Sequence, residues 1–460
     1  MKHGTMNTNN SQMNYRVGFI SLGCAKTLVN SEQMMFLLRE AGCGLTVETQ
    51  DADAVVVNTC AFIESAKMEA IETILALGRL KETGRLKKII VAGCLPERYK
   101  NEIIKEMPEI DTVVGTGGFQ SIVAALRAAM EGHEEQEFFD DINAPVSETS
   151  RIISTPSAWA YLKIAEGCDN HCAYCVIPSI RGRFRSRSAD AIVDEARNLV
   201  ENGRKELIVV AQDVTRYGLD IYGKKELATL LDSLSTIGGL SWIRLHYLYP
   251  SEINDELIDE IARNDKILKY LDIPIQHIND DILRKMNRRG TGDEIRSLLR
   301  RLRERVPGVV LRTSLITGLP GEGDIEFAEL CDFLKESKIE RAGVFAYSPE
   351  EGSPAALMDS PDLETAIARA EILTDIQSEI IDEFNISRIG SVVAVLVEGS
   401  SDGIFFGRSF AESPDVDGYI NIRGKGIVPG EMIGVRITGV ENHEPMGVRV
   451  EIKDRTRGLK

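Results

Sequence analysis

Nothing in the chain repeats at a fixed period, and its 39 glycines and 15 prolines among 460 residues are ordinary, which excludes solenoids and collagen-like rods. Long apolar runs are missing too: none approaches the roughly 20 residues that span a bilayer. The opening stretch MKHGTMNTNNSQMNYR is polar and lacks the apolar core of a signal peptide. The expectation is a cytoplasmic protein with no membrane partner. Basic residues are outnumbered, 54 against 71 acidic ones, for a net charge of −17. Phosphates would be repelled except at local basic patches, so broad adhesion to nucleic acid is disfavoured and a basic partner suits the chain better. Eight cysteines are too few for a disulfide scaffold in a chain of this size. With 43% hydrophobic residues there is apolar material for two to four folded domains.

From Tyr15 to about Met130, short β-branched runs (VGFISL, AVVVN, KIIVA, DTVVG) alternate with amphipathic stretches such as SEQMMFLLREA. This alternation predicts an α/β domain over 15–130 built on a doubly wound parallel sheet. Cys24, Cys60 and Cys94 each lie within about two residues of a predicted strand end, where open α/β sheets gather their ligands. A single such cysteine would read as a small core residue; three at equivalent places predict a shared site. Residues 131–153 lose periodicity, carry seven acids against one base, and read as a solvated connector.

A second α/β pattern covers 154–386, with strands at YLKIA, ELIVVAQD, WIRLHY, KYLDIPI, VVLRTSLIT and AGVFAYS and helical segments between them. Six such units predict a partial (βα)6 TIM-like barrel with its chemistry at the strand C-termini. Thr365 to Phe384 reads as a helix with Ile367, Ala370, Leu373, Ile376 and Ile380 on one face. Over 387–455, short strands broken by glycines (VVAVLVEG, YINIRG, MIGVRITGV) predict a small β-barrel. Cys43 and Cys331 stand alone and read as structural.

The densest signal is Cys168-Asp-Asn-His-Cys172-Ala-Tyr-Cys175, directly after the first barrel strand. A structural zinc site would need a fourth ligand, and His171, adjacent to Cys172, is awkward to aim at the same ion. Three thiolates on an iron-sulfur cluster instead leave one iron open to bind a small molecule. CDNHCAYC resembles the CxxxCxxC signature of radical S-adenosylmethionine enzymes, and ITGLPGE near the fifth strand resembles their second glycine-rich element. Alone, Gly318 to Glu322 would be an ordinary Gly-Pro turn. In that superfamily the open iron binds S-adenosylmethionine, whose reductive cleavage gives a 5′-deoxyadenosyl radical. The resemblance implies S-adenosylmethionine contacts at Tyr174, Gln212, Gly318 and Glu322.

With SLGC, NTC and AGC ahead of the barrel and a terminal β-barrel of the TRAM, OB-like kind behind it, nearly the whole chain resembles the radical SAM methylthiotransferases. The resemblance implies two 4Fe-4S clusters, one on Cys168, Cys172 and Cys175 and an auxiliary one on Cys24, Cys60 and Cys94 that presents sulfur. The stretches SLGCAKTLVNSE, NTCAFIESAK, AQDVTRYGLDIY, YLYP, IPIQH and YSPEEGSPA are similar to the branch that methylthiolates an aspartate of ribosomal protein uS12. A tRNA-modifying branch and a non-catalytic iron-sulfur electron carrier or scaffold are the alternatives. An electron donor such as flavodoxin or ferredoxin is an implied partner, and a monomer is expected.

Between residues 391 and 450 eight acids face five bases, and Glu412, Asp415 and Asp417 form an acidic loop expected to project toward a basic partner; the last ten residues offset part of this charge. Arg181, Arg183, Arg185 and Arg187 alternate, so an extended segment would place them on one face. The run from Arg284 to Arg305 reads as an exposed basic helix face.

Overall fold

The computed structural model describes residues 13–451, so the offsetting charge of the last residues lies almost wholly outside the described part. The chain forms two compact units, one of the residues up to Ser154 together with Val176–Arg183, the other of Thr155–Cys175 and the chain from Phe184 onward.

Unit 1 is a six-stranded parallel sheet: β1 (Arg16–Ser21), β2 (Gly44–Thr46), β3 (Ala54–Thr59), β4 (Lys88–Gly93), β5 (Thr112–Val114) and β6 (Glu137–Phe138), in the order β2-β1-β3-β4-β5-β6. The AVVVNT run is buried at every position because helices cover both faces. Val55, Val57, Ile89 and Val91 pack with Ala70 and Ile74 on one face; Val56, Ile90 and Ala92 pack with Met34, Leu38 and Leu126 on the other. The two-residue side-chain period of a strand accounts for this split. The acidic stretch after Glu131 is not a free connector. Glu137–Phe138 adds the sixth strand, and Arg151 forms a buried ion pair with Glu32. Acid content suggested solvation, but backbone pairing at an open sheet edge is available to any side chain that tolerates exposure.

Unit 2 opens with a second six-stranded parallel sheet, β7 (Trp159–Lys163), β10 (Glu206–Val210), β11 (Trp242–Leu245), β12 (Ile267–Asp272), β13 (Val310–Thr317) and β14 (Arg341–Ala346), neighbours in sequence order. A short ribbon of β8 (Ala165–Glu166) and β9 (Arg185–Ser186) flanks it. A closed barrel of β15 (Val392–Ser401), β16 (Ile404–Arg408), β17 (Ile420–Arg423), β18 (Met432–Glu441) and β19 (Glu444–Val450) follows. The intervening helix, Leu363–Ser387, is longer than predicted and rotated. Its buried stripe runs through Ala366, Arg369, Leu373, Gln377 and Ile380, leaving Ile367 exposed. Arg369 is drawn inward by Glu322, a partner that periodicity cannot reveal.

Candidate active site

In unit 1 the sheet order makes β1, β3 and β4 neighbours, and Cys24, Cys60 and Cys94 follow their C-terminal ends. This is the edge, beside the point where strand order reverses, at which doubly wound sheets bind ligands. Gly23 has φ +99°, and a Cβ there would stand 2.8 Å from the Cβ of Cys60, so glycine lets the two loops meet. Cys24 caps the helix Ala25–Glu40 and lies 3.6 Å from Thr27 Oγ1. Arg181 donates through Nη2 to Cys94 Sγ (3.4 Å) and Thr27 Oγ1 (3.2 Å), and through Nη1 to Asn30 Oδ1 (3.4 Å). Burial pushes the Cys60 thiol up to about 11. Burial acts the same way on Cys24, yet the charges of Lys26 and Arg181 and hydrogen bonds from Thr27 bring it down to about 6. One thiol is thus poised as the thiolate that metal ligation requires.

In unit 2 the Cys168 to Cys175 loop leaves β8 through Gly167, which has φ +79°. Asn170 holds the loop to the end of β10 by donating through Nδ2 to Asp213 Oδ2 (2.8 Å). Ala173 N donates to Met286 O, and Ala173 O accepts from Ala355 N, both at 2.9 Å. Cys172, Tyr174, Tyr249, Met286, Leu319 and Tyr347 share one apolar cluster. Arg288 enters it and donates through Nη1 to Tyr174 Oη (3.0 Å) and Cys172 Sγ (3.7 Å), with its guanidinium 4.7 Å from the Tyr249 ring centre. Burial pushes the Cys168 thiol up to about 11. His171 is exposed beside a buried Cys172, which removes the fourth zinc ligand considered from sequence.

Among the described residues, no three His, Cys, Asp or Glu side chains lie close enough to hold a single metal ion. A four-iron cluster is wider and spaces its cysteines around itself; each triad offers the three sulfur donors it needs.

The remaining sequence candidates sort by environment. Tyr174 is packed, with its hydroxyl held by Arg288. Gln212 donates through Nε2 to Glu166 Oε1 (2.8 Å), while its own Oε1 is buried and makes no hydrogen bond. Gly318 has φ +74°, and a Cβ there would lie 2.4 Å from the Cβ of Ala366. Glu322 is fully buried and accepts from Gly318 N (2.9 Å) and Arg369 Nη1 (2.9 Å). His277 Nδ1 accepts from Asn279 N, and its Nε2 lies 3.3 Å from Glu322 Oε2. Glu322 therefore orders the glycine-rich turn from inside it.

Sequence reasoning missed Arg288, which was absorbed into a basic run. The helix Gly292–Arg305 begins four residues after it. Most of that run's arginines meet acids of the same unit: Arg284 with Asp281, Arg289 with Glu252, Arg296 with Glu336, Arg303 with Glu340, and Arg305 with Asp255 and Asp259. The face is thus partly neutralised rather than a free basic patch. Nor do the four alternating arginines share a face. Arg181 ends the helix Ile177–Arg181, Gly182 turns the chain at φ +72°, and Arg187 donates to Lys163 O (2.7 Å).

The acidic loop after β16 is the largest correction. Glu412 is fully buried and accepts from Arg388, Arg341 and Ser409. Asp417 accepts from Tyr270 Oη (2.5 Å), and Asp415 from Tyr161 Oη (3.0 Å). Alongside, Glu206 joins Arg244 (2.7 Å) and Arg408 (2.8 Å), all fully buried. The loop fastens the terminal barrel to strands β7, β11, β12, β13 and β14 of the parallel sheet instead of projecting from it. With Glu398, Glu412, Asp417 and Arg408 internal, five acids face four bases on the rest of this barrel.

A cysteine triad at the mouth of an open parallel barrel, with a glycine-rich turn on the strand beside its far edge, defines a radical S-adenosylmethionine enzyme, and residues 162–334 match the Radical SAM superfamily. Residues 16–115 match the uncharacterized protein family UPF0004, and residues 389–450 the TRAM domain. The fold is similar to that of TsrM from Kitasatospora setae, a radical S-adenosylmethionine methyltransferase, with TM-score 0.55, 15% identity, and 84% of this chain and 79% of that one covered. The chain is 46% identical over 447 residues to the ribosomal protein uS12 methylthiotransferase RimO of Acetivibrio thermocellus, covering 95% of this chain and 98% of that protein. The same-named protein of Lachnoclostridium phytofermentans is 45% identical over 436 residues, covering 94% and 99%. The chain belongs to the RimO family of radical SAM methylthiotransferases. It is a transferase, and its cofactors are 4Fe-4S clusters, two in this family, and S-adenosylmethionine.

Proposed function

We propose that the chain replaces a C–H bond at the β-carbon of an aspartate of ribosomal protein uS12 with a methylthio group. The observation that carries this reading is the pair of cysteine triads, one after the C-terminal ends of β1, β3 and β4 in unit 1 and one on the loop that leaves β8 in unit 2. That carbon is too weakly acidic for any side chain of ordinary pKa to take its hydrogen as a proton. When bound, the clusters and S-adenosylmethionine supply radical, sulfur and methyl chemistry that side chains lack.

Cys168, Cys172 and Cys175 hold the cluster that engages S-adenosylmethionine, and Cys24, Cys60 and Cys94 hold the auxiliary one. Arg288 fixes Cys172 and Tyr174 in one orientation. Tyr174, Gln212 and Gly318 contact S-adenosylmethionine; the unpartnered Oε1 of Gln212 is an acceptor available to it. Glu322 shapes the turn that carries Gly318. Residues 15–130, extended by the strand Glu137–Phe138 and by Val176–Arg183, form the auxiliary-cluster domain, the rest of 154–386 the radical core and the chain from 387 onward the TRAM domain. The enzyme works as a cytoplasmic monomer with a one-electron donor of the flavodoxin or ferredoxin kind.

Mass spectrometry of uS12 and of digested tRNA, each incubated with reconstituted enzyme, reductant and S-adenosylmethionine, tests the substrate. The mass of one methylthio group is expected on uS12. The same mass on tRNA alone would replace this reading with the nucleic-acid branch.

A further inference from the structure

Directly after Cys175 the chain passes into unit 1, to which Val176–Arg183 belongs. Val176 and Ile180 lie in the same core cluster as Ala61, Cys94 and Leu95. The helix Ile177–Arg181 is tied at its end by Thr116 Oγ1, which donates to Ile180 O, and it closes on Gly182. Its last side chain, Arg181, is only 4% exposed. The guanidinium is spread over Thr27 Oγ1, Asn30 Oδ1 and Cys94 Sγ, two of them on the helix that Cys24 caps. A planar fork donating to three fixed acceptors is held in one orientation, and it stays charged at any working pH. A buried positive charge and an N–H···S hydrogen bond are two of the levers that raise an iron-sulfur cluster's reduction potential.

We infer that Arg181 is a positioning residue of the auxiliary cluster: it orients Cys94 as a ligand and, through its charge and its bond to that sulfur, raises the cluster's reduction potential. This rests on the assignment of Cys24, Cys60 and Cys94 to that cluster. The segment carrying the last cysteine of one triad would then also carry the charged partner of the other.

The test uses the full-length chain with Cys168, Cys172 and Cys175 replaced by Ala, so that only the auxiliary cluster remains, reconstituted anaerobically. Iron content and the midpoint potential, from a mediated titration followed by electron paramagnetic resonance, are compared among Arg181, Arg181→Lys and Arg181→Gln. Removing the charge should lower the reduction equilibrium constant at least tenfold, a shift of about 59 mV to more negative potential for one electron. Arg181→Lys, which keeps the charge and loses the fork, should recover most of it. A Gln chain with full iron and an unchanged potential would overturn the inference, even if its melting temperature fell. An Arg181 chain that bound no iron in this background would overturn the cluster assignment itself. If Arg181→Gln fails to fold, the Lys variant decides: a fall in its potential of about 59 mV or more would overturn the role of the charge, and an unshifted potential with unaltered spectra would overturn the role of the fork.

Discussion

Glu412 is ionised in the interior of unit 2. Burial opposes this, but the guanidinium groups of Arg388 and Arg341 prevail and hold its carboxyl at about 2, below its ordinary 4.5. A carboxyl depressed on folding contributes stability that is present above pH 4.5 and lost as pH falls toward 2. Glu412→Gln should therefore flatten the acid limb of the stability curve in that window. It should also cost on the order of 3 kcal/mol at neutral pH, because two buried cations lose their partner. Denaturant melts at pH 7 and pH 3 measure both effects; equal midpoints for variant and parent would place Glu412 outside the stability network. The two triads give a simpler expectation. Anaerobically reconstituted protein should carry about eight irons, and Ala at Cys168, Cys172 and Cys175 together should halve that. Iron assay of the triple variant checks it, and unchanged iron would contradict the ligand set. The placement of all six cysteines, three after neighbouring strand ends and three in one short loop, could be read from sequence. Arg288 and Arg181 could not, since the cysteines they bond lie more than 80 residues away in the chain.

At the scale of elements, the parallel sheet and partial barrel were legible because apolar runs of strand length recur between amphipathic stretches. The phase of the helix Leu363–Ser387 was not, since a buried Arg369 and Gln377 replace apolar residues on its inner stripe. Loop geometry was hidden as well. The close approach of Gly23 to Cys60 follows from strand order, which no local pattern encodes. Gly23→Ala should force the β1 and β3 loops apart and strain a φ of +99°. The expected result is a chain that loses about half its iron and keeps the ability to cleave S-adenosylmethionine. Retention of all iron would show that these loops separate without harm.

For the molecule as a whole, the radical barrel and the terminal β-barrel form one compact unit, joined by the buried Glu206, Arg244 and Arg408 group and by the loop around Glu412. Counting acids could not anticipate this, because Glu206, Tyr270, Arg312 and Arg341 sit on strands far away in sequence. Neutralising Glu412 and Asp417 should consequently loosen unit 2 rather than alter the salt dependence of docking to a basic partner. The central claim is that two triads do two different jobs. It is tested most directly by replacing Cys24, Cys60 and Cys94 together with Ala and measuring two products side by side, 5′-deoxyadenosine and methylthiolated uS12. The account predicts 5′-deoxyadenosine near the parent level and no methylthiolated protein; full modification of uS12 by this variant would contradict it.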